Sequence, residues 1–161
     1  MNNKNYIVKI LLDENSLPVP TPEIQHERDL AIYDILQENK FGLDNRADKI
    51  LPTGPFVLTL SIRNSLLAFI VQDEHSDKKY EIYLSLTPLK PVIKDYFEIC
   101  KSYFNAVKRL PPSQIEVIDM GRRGIHLEAS RTLIERLSGK AIIDIPTAKR
   151  LFTLICALHF N

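Results

Sequence analysis

Phe56-Val57-Leu58-Thr59-Leu60-Ser61-Ile62-Arg63-Asn64-Ser65-Leu66-Leu67-Ala68-Phe69-Ile70-Val71-Gln72, followed after a polar turn by Tyr80-Glu81-Ile82-Tyr83-Leu84-Ser85-Leu86, decides the fold class. The first run alternates, with Phe56, Leu58, Leu60 and Ile62 on one side, as a half-buried strand requires. Arg63-Asn64-Ser65 is short and polar enough for a hairpin loop. Leu66–Gln72 is almost wholly apolar and reads as a central strand covered on both faces. Asp73–Lys79 is a turn, and Tyr80–Leu86 alternates again. Three successive strands joined by short loops predict an antiparallel meander.

The segments on either side add helices. Tyr6–Leu12 alternates like a further strand. Pro18, Pro20 and Pro22 forbid regular pairing, and Thr21 can cap a helix that opens on Pro22 and runs to about Lys40. Residues 42–55 have no stable period and read as a loop. Thr87-Pro88 begins a helix to about Val107, with an apolar stripe at Leu89, Ile93, Tyr96, Cys100, Tyr103 and Val107. After Pro111-Pro112, Ser113 and Glu116 have the spacing of a capping box for a helix to about Leu137, ended by Gly139. Ala141–Ile145 is a short strand. The last helix, from Pro146 to about His159, is apolar almost all round and belongs in the centre or at an interface. The predicted fold is α+β: an antiparallel sheet of three to five strands with about four helices packed on it, in a single domain over residues 1–161.

Composition fits this reading. The chain has 161 residues, 45% apolar and 25% charged, which excludes a disordered or disulfide-stapled class. The net charge of +1 gives no overall pull toward nucleic acid or anionic lipid. The charge is nonetheless uneven. Residues 1–60 hold 6 Lys/Arg against 9 Asp/Glu, whereas residues 106–161 hold 9 against 5. Cys100 and Cys156 lie in apolar helical patterns and read as buried free thiols, without disulfide or metal spacing. The apolar run Tyr6–Leu12 is too short for a signal peptide, and Leu151–Phe160, about ten residues, is too short for a membrane span. These features predict a cytosolic protein with no membrane association. The last helix predicts self-association as a homodimer through Phe152, Ile155, Cys156, Leu158 and Phe160.

The segment Asp119–Arg131 is the best candidate for chemistry. On an unbroken helix, Ile115, Ile118, Ile125, Ala129 and Leu133 form one apolar stripe. Arg122 and His126 then fall inside it, and an arginine turned toward a core needs a partner such as Asp119 or Glu116. Arg28 repeats this anomaly between Ile24, Ala31 and Ile35. Alternatively the helix breaks at Gly121–Gly124. A new helix N-terminus beside Arg122 and Arg123 would then favour a phosphate or carboxylate. Both geometries leave Arg28, Asp119, Arg122, Arg123, His126 and Glu128 as binding candidates. His126 and Glu128 form H-x-E without the P-C-x-x-C of a zinc deaminase. The histidine spacings match no metal motif, there is no phosphate loop or G-x-S-x-G elbow, and no cofactor is implied. Clustered basic residues with exposed aromatics, the mark of a nucleic-acid binder, are missing. Two function classes follow. One is a binding module for a small anion or an acidic protein partner. The other is an enzyme with His126 as general acid/base and Arg122/Arg123 stabilising negative charge.

Four segments carry a family resemblance. They are Pro112-Ser113-Gln114-Ile115-Glu116-Val117-Ile118-Asp119-Met120-Gly121-Arg122-Arg123-Gly124-Ile125-His126; Leu84-Ser85-Leu86-Thr87-Pro88 with Lys94-Asp95-Tyr96-Phe97-Glu98-Ile99-Cys100; His26-Glu27-Arg28; and Ala148-Lys149-Arg150-Leu151-Phe152-Thr153-Leu154. In this order they resemble the bacterial uncharacterised protein family 0262, from about Ile10 to Leu158. The resemblance implies a small cytosolic bacterial protein. It brings no established activity, and therefore no site residue to carry over.

Overall fold

The structure is a computed structural model that describes residues 4–44 and 51–159. Its meander is the predicted one: β3 (Phe56–Arg63), β4 (Leu66–Asp73) and β5 (Lys79–Ser85) pair antiparallel in sequence. Asn64 and Ser65 take positive φ at the tight β3–β4 turn. The sheet departs from the prediction at its other edge. Strand β1 (Ile7–Leu12) lies parallel to β3, so the four-stranded sheet, ordered β1-β3-β4-β5, is mixed rather than purely antiparallel. The long connection from Leu12 to Phe56, which includes the first helix, makes this possible, because a parallel neighbour requires a crossover of about a dozen residues or more.

One face of the sheet is fully covered. Ile10, Leu58, Val71, Leu60, Phe69, Ile82, Leu67 and Leu84 share that face in register and are buried. The opposite face is half open: Ile70 is partly accessible and Tyr83 is exposed. The expectation that β4 is covered on both faces is thereby corrected. A second sheet, absent from the sequence reading, pairs β2 (Phe41–Leu43) with β6 (Ala141–Ile143). Part of the predicted 42–55 loop is therefore strand, and its residues 45–50 lie outside those described.

Four helices complete the described core. Helix α1 (Pro22–Gln37) starts as expected, with the Thr21 hydroxyl accepting from the Ile24 N–H at 3.2 Å. Helix α2 (Lys90–Arg109) begins after Leu89, three residues later than predicted. Helix α3 (Pro112–Leu137) runs unbroken through Gly121–Gly124, which removes the alternative of a second N-terminus there. The capping box does not form: Pro111 occupies the cap position, with no side-chain bond to the first turn. Gly121 lets α2 and α3 approach closely, since a Cβ there would stand 2.9 Å from Ile99 Cδ1 of α2 and that side chain would have to shift.

Helix α4 (Ile145–Leu158) is capped by the Asp144 carboxylate, which accepts from the Thr147 N–H at 3.0 Å. Leu151, Phe152, Leu154, Ile155 and Leu158 are all fully buried within the one chain. α4 is thus central, and the predicted dimer surface on it is overturned for the described residues, with Phe160 lying outside them. Because its C-terminal end is inside the protein, its last carbonyls need internal donors. Arg28, itself 1% exposed, supplies one. Its Nε donates to the Ala157 carbonyl at 2.9 Å and its Nη2 to the Pro18 carbonyl at 3.1 Å. The cation also lies at the negative end of the helix dipole. His159 Nδ1 donates to the Ile155 carbonyl at 2.7 Å.

Arg28→Met keeps the length of the side chain but leaves one buried and one partly buried carbonyl without these donors. It is expected to destabilise the fold by about 2–3 kcal/mol, measured by urea unfolding at constant m. An unchanged midpoint would show that water replaces the guanidinium.

Candidate functional site

The unbroken α3 puts Asp119, Arg122, Arg123 and His126 within two turns. Arg122 Nε and Nη2 both donate to Asp119 Oδ1, at 3.1 and 2.5 Å. Arg123 Nη2 reaches the other oxygen, Oδ2, at 2.8 Å. One carboxylate thus serves two arginines, and the trio keeps a positive charge. The hydrogen bond from Arg122, with smaller help from the nearby arginine charges, holds the Asp119 carboxyl below the usual carboxylate range despite its partial burial. Arg122 is half-buried and its guanidinium carbon lies 4.2 Å from the centre of the Tyr103 ring on α2, a cation–π contact. Arg123 points to solvent.

His126 is engaged with two other helices. Its Nε2 lies 3.0 Å from the Lys149 carbonyl and 3.2 Å from Thr153 Oγ1, both on α4. The carbonyl can only accept, which assigns the proton to Nε2. The ring stacks on Tyr96 of α2, centres 5.1 Å apart, and tilts against Phe152 at 5.9 Å. Burial pushes its pKa down, partly offset by the Lys149 carbonyl. At neutral pH the ring is uncharged and fixes α3 to α4.

Arg122 also lines a cleft of about 610 Å³ bounded by all four helices. Its floor is Ala31, Thr153, Cys156 and Ala157, and its banks carry Leu30 on one side and Phe104 on the other. Glu27 and Asp34 of α1 stand on the first bank; Lys101 of α2 and Arg122 stand on the second. A smaller hollow of about 220 Å³ shares Ala31, Asp34 and Thr153 and reaches His126, Lys149 and Arg150. Cys100 opens on the main cleft and is only partly buried, contrary to the expectation for both thiols; Cys156 is buried as expected. Burial raises the pKa of both, so each is a neutral thiol rather than a nucleophilic thiolate. Among the described residues, no group of three or more His, Cys, Asp and Glu could hold a metal ion.

Of the residues singled out in the sequence, α3 brings together Asp119, Arg122, Arg123 and His126. Glu128 is exposed on the same helix and does not line the cleft. Arg28 lies beneath the floor, committed to two backbone carbonyls. Asp34, Lys101 and Phe104 escaped notice, and Glu27 and Thr153 entered only as members of motif segments, because each is an ordinary surface residue on its own helix and gains meaning only when four helices meet. Tyr96 and Cys100 had a legible signal, the amphipathic stripe of α2, but it indicated core rather than cleft.

Arg122→Ala removes the paired bond and the ring contact and is expected to cost about 1–2 kcal/mol. Arg123→Ala should leave the unfolding midpoint nearly unchanged. His126 titrates below its unfolded value, so its contribution is complete above about pH 6.5. It is lost as pH falls through the depressed folded value, because the unfolded chain takes up the proton first. His126→Gln should therefore flatten the dependence of stability on pH between about pH 6.5 and that depressed value, measured by urea titration; an unchanged slope would show that the half-buried His159, whose pKa is also pushed down, carries the linkage.

The comparisons with known proteins agree with the resemblance. The profile of the uncharacterised protein family UPF0262 matches residues 4–161. A UPF0262 protein of Ruegeria pomeroyi is 61% identical over 155 residues, 96% of each chain. One from Roseobacter denitrificans is 58% identical over 155 residues, covering 96% of this chain and 98% of its own, and one from Paracoccus denitrificans is 53% identical over 154 residues, covering 96% and 95%. No solved structure matches the chain. With its whole described fold inside the matched range, the chain belongs to the bacterial uncharacterised protein family UPF0262.

Proposed function

We propose that the protein is a cytosolic binding module and that its four-helix cleft takes a small ligand with an apolar body and an anionic group. The observation that carries this reading is Arg122 in the cleft wall. Its Nε and Nη2 serve Asp119, which leaves Nη1 without a hydrogen bond among the described residues, beside Lys101 and an apolar floor. The cleft volume of about 610 Å³ falls in the usual range for small-molecule sites, which are mostly apolar with a few convergent polar groups. Glu27 and Asp34 on the far bank repel an anion and so orient it toward Arg122. Any donor group at the ligand's other end would meet those carboxylates. The acid–base reading of His126 has no comparable support, since its Nε2 is engaged by the Lys149 carbonyl. Two free thiols fit a reducing compartment, and no helix among the described residues is long and apolar enough to cross a membrane.

Cys100 opens on the cleft and reports occupancy. Octanoate and phenylacetate at millimolar concentration are expected to slow its reaction with a thiol reagent, while benzyl alcohol at the same concentration protects less. Arg122→Gln should weaken the carboxylate protection about tenfold, a loss of about 1.4 kcal/mol, and Arg123→Gln should leave it intact. Equal protection by charged and neutral probes would reject the anion.

A further inference from the structure

The hairpin of α2 and α3 outruns the core that supports it. At about 1.5 Å per residue, α3 is about 39 Å long and α4 about 21 Å. Burial follows this difference along both helices. On α2, Leu89 and Ile93 are buried, Tyr96 and Cys100 are half-buried, and Phe104 and Val107 are 65% and 53% exposed. On α3, read backward, Leu137, Leu133 and Ala129 are buried and the same stripe is only half-buried at Arg122, Ile118 and Ile115, while Met120 and Val117 stand exposed on the opposite face. The distal half of the hairpin is thus a two-helix arm with an incompletely covered apolar surface. Two helices alone cannot enclose their own stripe. α1 shows the complementary defect across the cleft, where Leu30 and Tyr33 are exposed.

Charge separates these two surfaces. Over residues 101–126 the arm carries Lys101, Lys108, Arg109, Arg122 and Arg123 against Glu116 and Asp119. The exposed side of α1 carries Glu23, Glu27, Asp29 and Asp34, while its one arginine, Arg28, is buried. The molecule therefore presents a basic apolar arm and an acidic apolar helix side by side. Such a pair suits an isologous two-fold interface, in which each surface finds its complement on the other copy.

We propose that a second copy of this chain is the occupant: the arm of each protomer lies along α1 of its partner, forming a homodimer whose core is Leu30, Tyr33, Phe104 and Val107. The contact moves self-association from the enclosed α4 to the exposed arm. It places the partner's arm over the mouth of the cleft, yet it stands whether or not the cleft binds an anion.

Sedimentation velocity of the ligand-free protein at tens of micromolar is expected to show a dimer. Phe104→Glu with Val107→Glu, at positions already exposed, should give a monomer with unchanged circular dichroism. Lys108→Glu with Arg109→Glu in one chain, and Glu27→Lys with Asp34→Lys in another, should each weaken the homodimer at least tenfold. Mixing the two should restore association as a heterodimer, and salt should weaken it. A wild-type chain that stays monomeric at these concentrations overturns the proposal and leaves the arm to a different protein. A dimer that survives Phe104→Glu with Val107→Glu, or charge-swapped chains that do not recover on mixing, overturns it by placing the interface elsewhere.

Discussion

The C-terminal end of α4 lies inside the protein, and its carbonyls must find donors there. Everything else in the described fold is arranged around that requirement. A helix end in solvent is satisfied by water, but a buried one is not. Arg28 reaches it from α1, and His159 turns back on it from the following residue. The cost of burying a guanidinium is offset only by well-placed acceptors, and backbone carbonyls provide these without introducing a second buried charge. α1 and α3 then flank α4, and α2 packs on α3. The cleft is the space left where α1 and α2 fail to meet above the α4 floor.

The same enclosure separates what could be read from the residues from what could not. The three meander strands were legible because period-two alternation is local, and Thr21 was legible because a cap depends on three residues. The direction of β1 was not, since parallel and antiparallel edges require the same alternation along Ile7–Leu12. The β2–β6 pair was also hidden. Three residues each are too few for a period, and Gly42 at the centre of one strand reads as loop. The apolar surround of α4 was visible, but an enclosed helix and an interface helix look alike in sequence. Only the covering elements distinguish them.

At the candidate site, the 100° rotation per residue correctly turned Arg122 inward and placed Asp119 within its reach. The partner of Arg28 lay 129 positions away and no periodicity could supply it. His126 shares the direction of Arg122, yet its contacts with Lys149, Tyr96 and Phe152 come from two other helices. Side chains that serve as bolts between elements carry no local mark, whereas those paired along one helix do. The arm was hidden for a related reason: its stripe at Tyr103 and Val107 has the pattern of a buried face, and length alone leaves it uncovered.

The bond between Arg28 and Ala157 also bears on the order in which the chain is made. Strand β1, α1 and the meander all leave the ribosome before α4 does, and their buried residues share one core with that helix. Until residues 145–158 emerge, that core lacks its most enclosed helix and Arg28 has no acceptor on α4. The nascent protein is therefore a half-built shell that waits for its filling, and this interval is when it depends most on chaperones.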